Sequence, residues 1–181
     1  MSHEIEKIPG SPLGDVGKTL LIIRHAKSSW GIDTLNDFER PLNDRGKKDA
    51  PAMAQRMIEK KILIDAFVSS PAKRAKKTAA LFCTEYGKKE EDIIFISKLY
   101  HADAGIFFEV VDELDNAFTT VAIFSHNPGI TEFVNLLITA TRIENMPTCG
   151  IFAISIKADK WINFKTVKKE LLFFDYPKSG E

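Results

Sequence analysis

The chain has 181 residues, 44% of them hydrophobic and 28% charged, enough to bury a full core and far from the composition of a disordered segment. Lys plus Arg and Asp plus Glu each number 25, so the net charge is zero. No global field draws the chain to nucleic acid or to a membrane, and any recognition of an anion must be local. The two cysteines, Cys83 and Cys149, lack a C-x-x-C pair or a histidine cluster, so they suggest neither a zinc site nor a disulfide framework and are expected as buried thiols in a reducing compartment.

Residues 1–17, "MSHEIEKIPGSPLGDVG", are rich in Gly, Pro, Ser and charge, and are expected to form a flexible arm ahead of a single domain over 18–181. The arm has no apolar stretch of signal-peptide length, and no later run reaches the roughly 18 apolar residues of a membrane span. The expectation is therefore a soluble, cytoplasmic protein.

From Thr19 short apolar, β-branched runs alternate with longer segments of helical spacing, which predicts βα units feeding a mostly parallel sheet. The first strand is "TLLIIR". In "LNDRGKKDAPAMAQRMIEKK", Ala50, Met53, Ala54, Met57 and Ile58 recur at helical spacing behind Asn43 as a cap, while Pro51 predicts a kink or a start near Asp49. "DAFVSS" is the second strand, with Pro71 as first residue of a helix whose apolar face is Ala75, Ala79, Phe82 and Tyr86. "IIFIS" is a third strand and a helix follows within 104–116. "TVAIFS" is the fourth, leading into Asn127 as cap, Pro128 as first helical residue and the stripe Ile130, Phe133, Val134, Leu137 and Ile138. The chain closes with "CGIFAISIK" and "INFKTVKKELLFF", joined through "ADKW" as an antiparallel hairpin on one sheet edge. The fold class is α/β, a three-layer α/β/α sandwich.

Three of these strands end in chemistry. The first delivers Arg24 and His25, the second Ser69 and Ser70 with Arg74 one helical turn on, and the fourth Ser125 and His126. Parallel strands place their carboxyl ends on one edge, where ligands bind in open α/β sheets, so these residues are expected to converge. Two arginines, two histidines and two helix N-termini suit a phosphoryl group: guanidinium forks grip its oxygens and helix amides add donors. Neutral imidazole is a nucleophile, and neighbouring guanidinium groups should lower the pKa of His25 and keep it neutral; His126 would donate to the phosphoryl oxygens.

At "RHAKSSW", "FERPLNDRGKKDAPAM", "SSPAKRAKKTA", "LYHA" and "FSHNPG", in that order, the sequence resembles the histidine phosphatase superfamily, the phosphoglycerate mutase-like group, and within it the small SixA-type phosphohistidine phosphatases. The likeness runs from about Lys18 to Pro177, and "DAPAM" is similar to that branch's usual helix, Pro51 included. It implies a phosphoglycerate mutase-like fold, attack on phosphorus by His25, and a phosphate pocket completed by Arg24, Arg74 and His126, with no cofactor and no metal. Ser28 is a further candidate donor to the phosphate. Arg40 and Lys27 rank lower, as charge at the mouth, and Arg45 and Lys47 belong to a surface helix end.

The implied substrate is a phosphorylated protein or a small phosphoester, with phosphohistidine in a protein favoured. Larger members of the superfamily protonate the leaving group with a carboxylic acid. Here Asp33, Asp37, Glu39 and Asp103 are the candidates, none fixed by spacing. A phosphoglycerate mutase-like transferase and a phosphoprotein-binding module without turnover stay open as alternatives, as does the oligomeric state.

Overall fold

The computed structural model describes residues 17–29, 36–140 and 142–179. Most of the N-terminal arm and Asp33 lie outside these described residues. Six strands form one sheet in the order β3-β2-β4-β1-β5-β6: β1 Lys18–Arg24, β2 Ala66–Ser69, β3 Ile93–Phe95, β4 Thr120–Ser125, β5 Ile151–Ile156 and β6 Lys169–Asp175. The first four positions in that order are parallel neighbours, whereas β5 runs antiparallel to β1 and β6 antiparallel to β5.

The layers follow from the pleat of β1, whose successive side chains face opposite ways. Leu20 and Ile22 join Phe107, Val110, Ile130, Phe133 and Val134 on one face, under α3 (Ala104–Asp112) and α4 (Gly129–Leu137). Leu21 and Ile23 join Met53, Ala54, Met57, Ala79 and Phe82 on the other, under α1 (Asp44–Glu59) and α2 (Lys73–Glu85). Both faces of the central strand are therefore dry, which is why it reads as an unbroken apolar run rather than an alternating one. This is the three-layer α/β/α sandwich with its antiparallel edge.

Several local expectations are corrected. Helix α1 neither breaks at Pro51 nor waits for Asp49. Asn43 caps it by accepting from the Gly46 amide at 2.9 Å, and its own amide donates to the Lys27 carbonyl at 3.0 Å. A Cβ at Gly46 would overlap the Lys27 backbone, so the first turn is pressed onto the segment after β1. Those tertiary contacts hold the turn ahead of the proline. Ile58 is 36% exposed and leaves the predicted apolar face.

Pro71 sits two residues before α2, because the Ser70 hydroxyl accepts from the Ala72 amide and turns the chain first. Pro128 stands just outside α4, following a cis peptide bond, and the Asn127 side chain takes no helix amide: its Nδ2 donates to Asn145 and the Met146 carbonyl, and its Oδ1 accepts from the Thr131 hydroxyl at 2.9 Å. Strand β3 is three residues long and gives way to a short 3-10 turn at Ser97–Leu99.

"INF" is not strand. Trp161–Asn163 is a 3-10 turn that buries Trp161 and Phe164 in the core, with the indole donating to the Phe118 carbonyl at 3.0 Å. The hairpin connection therefore spans residues 157–168 rather than four residues. Cys83 and Cys149 are free and buried, as expected.

Candidate active site

The carboxyl ends of β1, β2 and β4 are laced together through backbone. Arg24 lies opposite Ser125, and Ser69 opposite Phe124. Just beyond, the His25 amide donates to the Ser125 carbonyl and the Ser70 amide to the Phe124 carbonyl, each at 3.0 Å. From the other side the Cys149 amide, at φ 59°, donates to both the Arg24 and His25 carbonyls at 3.1 and 3.2 Å. These contacts bring Arg24, His25, Ser28, Arg74 and His126 around one pocket of about 260 Å³.

His25 is fixed at both ring nitrogens. Nδ1 lies 2.8 Å from the Ala26 carbonyl, which has no proton to offer, so Nδ1 carries the hydrogen and donates. Nε2 is thereby left with its lone pair, and it accepts from Arg74 Nε at 3.2 Å. Burial is the largest cause pulling the His25 pKa down to about 3; the Ala26 contact works against it, and the charges of Arg74, Arg24 and Arg40 add to it. The direction is the one expected from the sequence, but desolvation outweighs the guanidinium groups. The ring is neutral at physiological pH.

His126 packs its ring 5.1 Å from that of His25, with its pKa lowered to about 2, first by burial and then by the neighbouring His25 and Arg74. Its Nε2 is 2.8 Å from the Ser70 hydroxyl. Its Nδ1 is buried with no hydrogen-bond partner among the described residues, and Arg24 Nε is in the same condition. Arg24 Nη1 is tied back, donating to the Met146 carbonyl at 2.6 Å.

Asp37 organises the cations. Its Oδ2 accepts from Arg74 Nη2 at 2.9 Å and from the Tyr100 hydroxyl at 2.9 Å, its Oδ1 accepts from Arg40 Nη1 at 2.8 Å, and its carbonyl accepts from Arg74 Nη1. Desolvation opposes ionisation of this carboxyl, but the Tyr100 and Arg74 hydrogen bonds and the charges of Arg74 and Arg40 prevail and hold its pKa below the ordinary value. Arg40 also donates to the Ser28 hydroxyl at 2.5 Å and the Ser29 carbonyl at 3.2 Å, so Ser28 is coupled to this network.

Of the carboxylates named from sequence as proton donors, the three among the described residues are engaged in other contacts. Asp37 is held as an acceptor. Glu39 points to Lys73 at 3.9 Å, away from the pocket lining, and Asp103 caps α3 by accepting from the Ile106 amide at 3.0 Å. Arg45 and Lys47 pair with Asp49 and Asp44 on α1, as surface residues. Lys27 and Arg40, ranked low, both line the pocket. The sequence reading missed Tyr100 as the support of Asp37, and it missed His101, Asn127 and Thr148 on the pocket wall. The available signal was "LYHA" itself, in which two of the four side chains, Tyr100 and His101, can carry hydrogen bonds or protons.

A sequence model of the histidine phosphatase superfamily (branch 1) matches residues 20–107. An uncharacterized chloroplastic protein of Arabidopsis thaliana is 26% identical over 166 residues, covering 87% of this chain and 75% of that protein. Among solved structures, a SixA-type protein of Agrobacterium tumefaciens superposes with a TM-score of 0.74 at 22% identity, over 88% of this chain and 98% of the other. The protein histidine phosphatase SixA complexed with tungstate gives 0.73 at 20%, over 88% and 97%. The superfamily match thus spans the stretch that holds Arg24, His25 and Arg74, and the chain shares the fold of these SixA structures.

Proposed function

We propose that the protein is a phosphatase that works through a phosphorylated His25 and acts on phosphohistidine in a protein substrate. The observation that carries this reading is the set of three groups gathered in one pocket. The His25 Nε2 lone pair has only the Arg74 N–H against it, and Arg24 Nε is a buried donor without an acceptor. His126 Nδ1, also buried and unpaired, carries the hydrogen when Nε2 accepts from the Ser70 hydroxyl, whose oxygen already accepts from the Ala72 amide. A buried donor left unpaired costs about 1–3 kcal/mol, and two of them beside a lone pair match an anion with a site of attack.

In this reading Nε2 of His25 attacks phosphorus, and a P–N bond forms as the bond to the leaving group breaks. Arg24, Arg74 and His126 hold the phosphoryl oxygens, with Ser28 and Arg40 at the rim. Water then displaces His25 and releases phosphate, so one displacement becomes two. Burial serves the nucleophile by keeping it unprotonated, and Arg74 moves from the lone pair to the incoming oxygens. Positive side chains supply the stabilisation of developing charge, so turnover is expected to be insensitive to EDTA. A protein substrate is supported by the open approach: between α2 and β4 the chain has only a three-residue strand, short turns and the nine-residue α3, with no long insertion to close over a small molecule.

Two measurements test this. Brief reaction with a 32P-labelled phosphohistidine protein followed by acid-free quench is expected to leave label on His25, and His25→Ala is expected to lose about 10⁴-fold or more in kcat on an aryl phosphate. Undiminished turnover by His25→Ala overturns the nucleophile. Comparison of phosphohistidine protein with phosphoserine, phosphotyrosine and small phosphoesters tests the substrate, and a preference for an ester replaces the P–N assignment.

A further inference from the structure

We propose that His101 is the general acid and base of this site, giving a proton to the leaving group when His25 is phosphorylated and taking one from water when it is released. The proposal rests on the His25 reading above and names the group that it lacks. The need is chemical: an alkoxide or phenoxide leaves phosphorus poorly unless it is protonated, and so does an anionic imidazole.

The described carboxylates near the pocket are committed elsewhere. Asp37 is ionised against Arg74, Arg40 and Tyr100, Glu39 faces Lys73 outside the lining, and Asp103 is a helix cap. His25 and His126 are buried and neutral, and lysines and arginines at the rim are poor proton donors near neutrality. His101 lines the same pocket and is exposed to solvent, and an imidazole can both give and take a proton.

Its placement is built rather than incidental. The loop is clamped on both flanks of the residue, the Leu99 carbonyl accepting from the Ser125 hydroxyl at 2.8 Å, and Ala102 pressed so close to Gly129 that a Cβ there would overlap the Ala102 carbonyl. Between the clamps His101 takes φ 59°, a left-handed conformation that costs a non-glycine residue roughly 1 kcal/mol or more and that collects at functional sites. Its ring centroid lies 3.9 Å from that of Tyr100, whose hydroxyl is spent on Asp37. The charged and titratable groups that share the pocket with it are Arg24, His25, Lys27, Asp37, Arg40, Arg74 and His126, with Tyr100 against its ring. Gly129 is required here for a second reason: it sets the start of α4, and so His126, against the loop that carries His101.

The proton ledger closes. As His25 Nε2 forms its bond to phosphorus, the electron pair of the breaking bond goes to the leaving oxygen or nitrogen, which takes the proton of the His101 imidazolium. Neutral His101 then accepts a proton from the water that attacks phosphorus, the P–N pair returns to His25 Nε2, and inorganic phosphate leaves. His101 ends as it began.

The test is a series of substituted phenyl phosphates whose phenols span a range of acidity, with His101→Asn, since asparagine tolerates the left-handed backbone. Wild type is expected to show kcat/KM nearly independent of phenol acidity. His101→Asn should fall about 100-fold for the least acidic phenol and less than about 3-fold for p-nitrophenol, which needs no proton. Labelling of His25 should persist in the variant with the p-nitrophenyl substrate. An equal loss across the series, or none, overturns the assignment to His101. Absence of label on His25 in wild type overturns the nucleophile instead, and the slopes still decide His101.

Discussion

The two halves of the sheet do different work at the same edge. The parallel half, β1, β2 and β4, sends side chains past its carboxyl ends: Arg24 and His25, Ser70 with Arg74, and Ser125 with His126. The antiparallel half sends backbone. Cys149 clamps the Arg24 and His25 carbonyls with its amide, Gly150 accepts from the Arg24 amide at 3.1 Å, and the Met146 carbonyl ties back the Arg24 guanidinium. One half supplies reactive groups, and the approach to the other limits how far they move. Chemistry needing placement within a few tenths of an ångström gains from this division, since a backbone clamp has no rotamers to lose.

The largest expected effect separates the halves by stability alone. Trp161 is fully buried in the connection between the two antiparallel strands, its indole donating to the Phe118 carbonyl and its amide to the Asn116 side chain, and it is not among the residues that line the pocket. Trp161→Ala is expected to cost about 3–5 kcal/mol in urea unfolding. Measured at a temperature where the variant is folded, kcat and KM should stay within about twofold of wild type. A matching loss of kcat would show that the edge does more than hold.

Arg74→Lys tests the parallel half. Lysine cannot keep Nε on His25 while forking onto Asp37, so an N–H to the phosphoryl group and the alignment of the ring are lost together. A fall of about 10²–10³ in kcat is expected, with unfolding nearly unchanged. Asp37→Asn should be milder, about 10-fold in kcat/KM, because Asp37 acts through Arg74 and Arg40. Its imprint should be on kcat rather than on the leaving-group dependence, which belongs to His101.

How much of this was legible depends on what kind of contact fixed it. Three strand ends, and hence His25, Arg24, Arg74 and His126, follow from apolar runs that stop at polar residues, because a parallel sheet buried on both faces leaves the sequence little choice. Asp37 was visible only as one of several acids, since its role is set by three donors arriving from β1's following segment, from α2 and from Tyr100, at separations of 3, 37 and 63 residues. Periodicity carries no record of such meetings. The same holds for "INF", which reads as strand behind Trp161 in the connection, but burial of the indole with a carbonyl partner goes with a 3-10 turn over Trp161–Asn163. His101 stands within "LYHA" without a local signal of its role, because nothing in the sequence announces a left-handed backbone held between Leu99 and Ala102.

The smallest effect is a dependence of stability on pH, and its sign is set by the two buried histidines. Both pKa values are depressed in the folded chain, His25 to about 3 and His126 to about 2, against about 6.5 when unfolded. Below pH 6.5 the unfolded chain therefore binds protons that the folded chain refuses. Stability contributed by these rings is fully present above the unfolded value and is lost as pH falls from about 6.5 toward 3. Between pH 7 and pH 5.5 each ring is expected to remove about 1 kcal/mol. Replacing His126 by Gln should delete one such contribution from the difference in urea unfolding between the two pH values, while Trp161→Ala should leave that difference intact. An unchanged slope in His126→Gln would mean that this ring is protonated in the fold, and a protonated His126 beside Arg74 would bind a phosphoryl group by charge rather than by the neutral donor argued above.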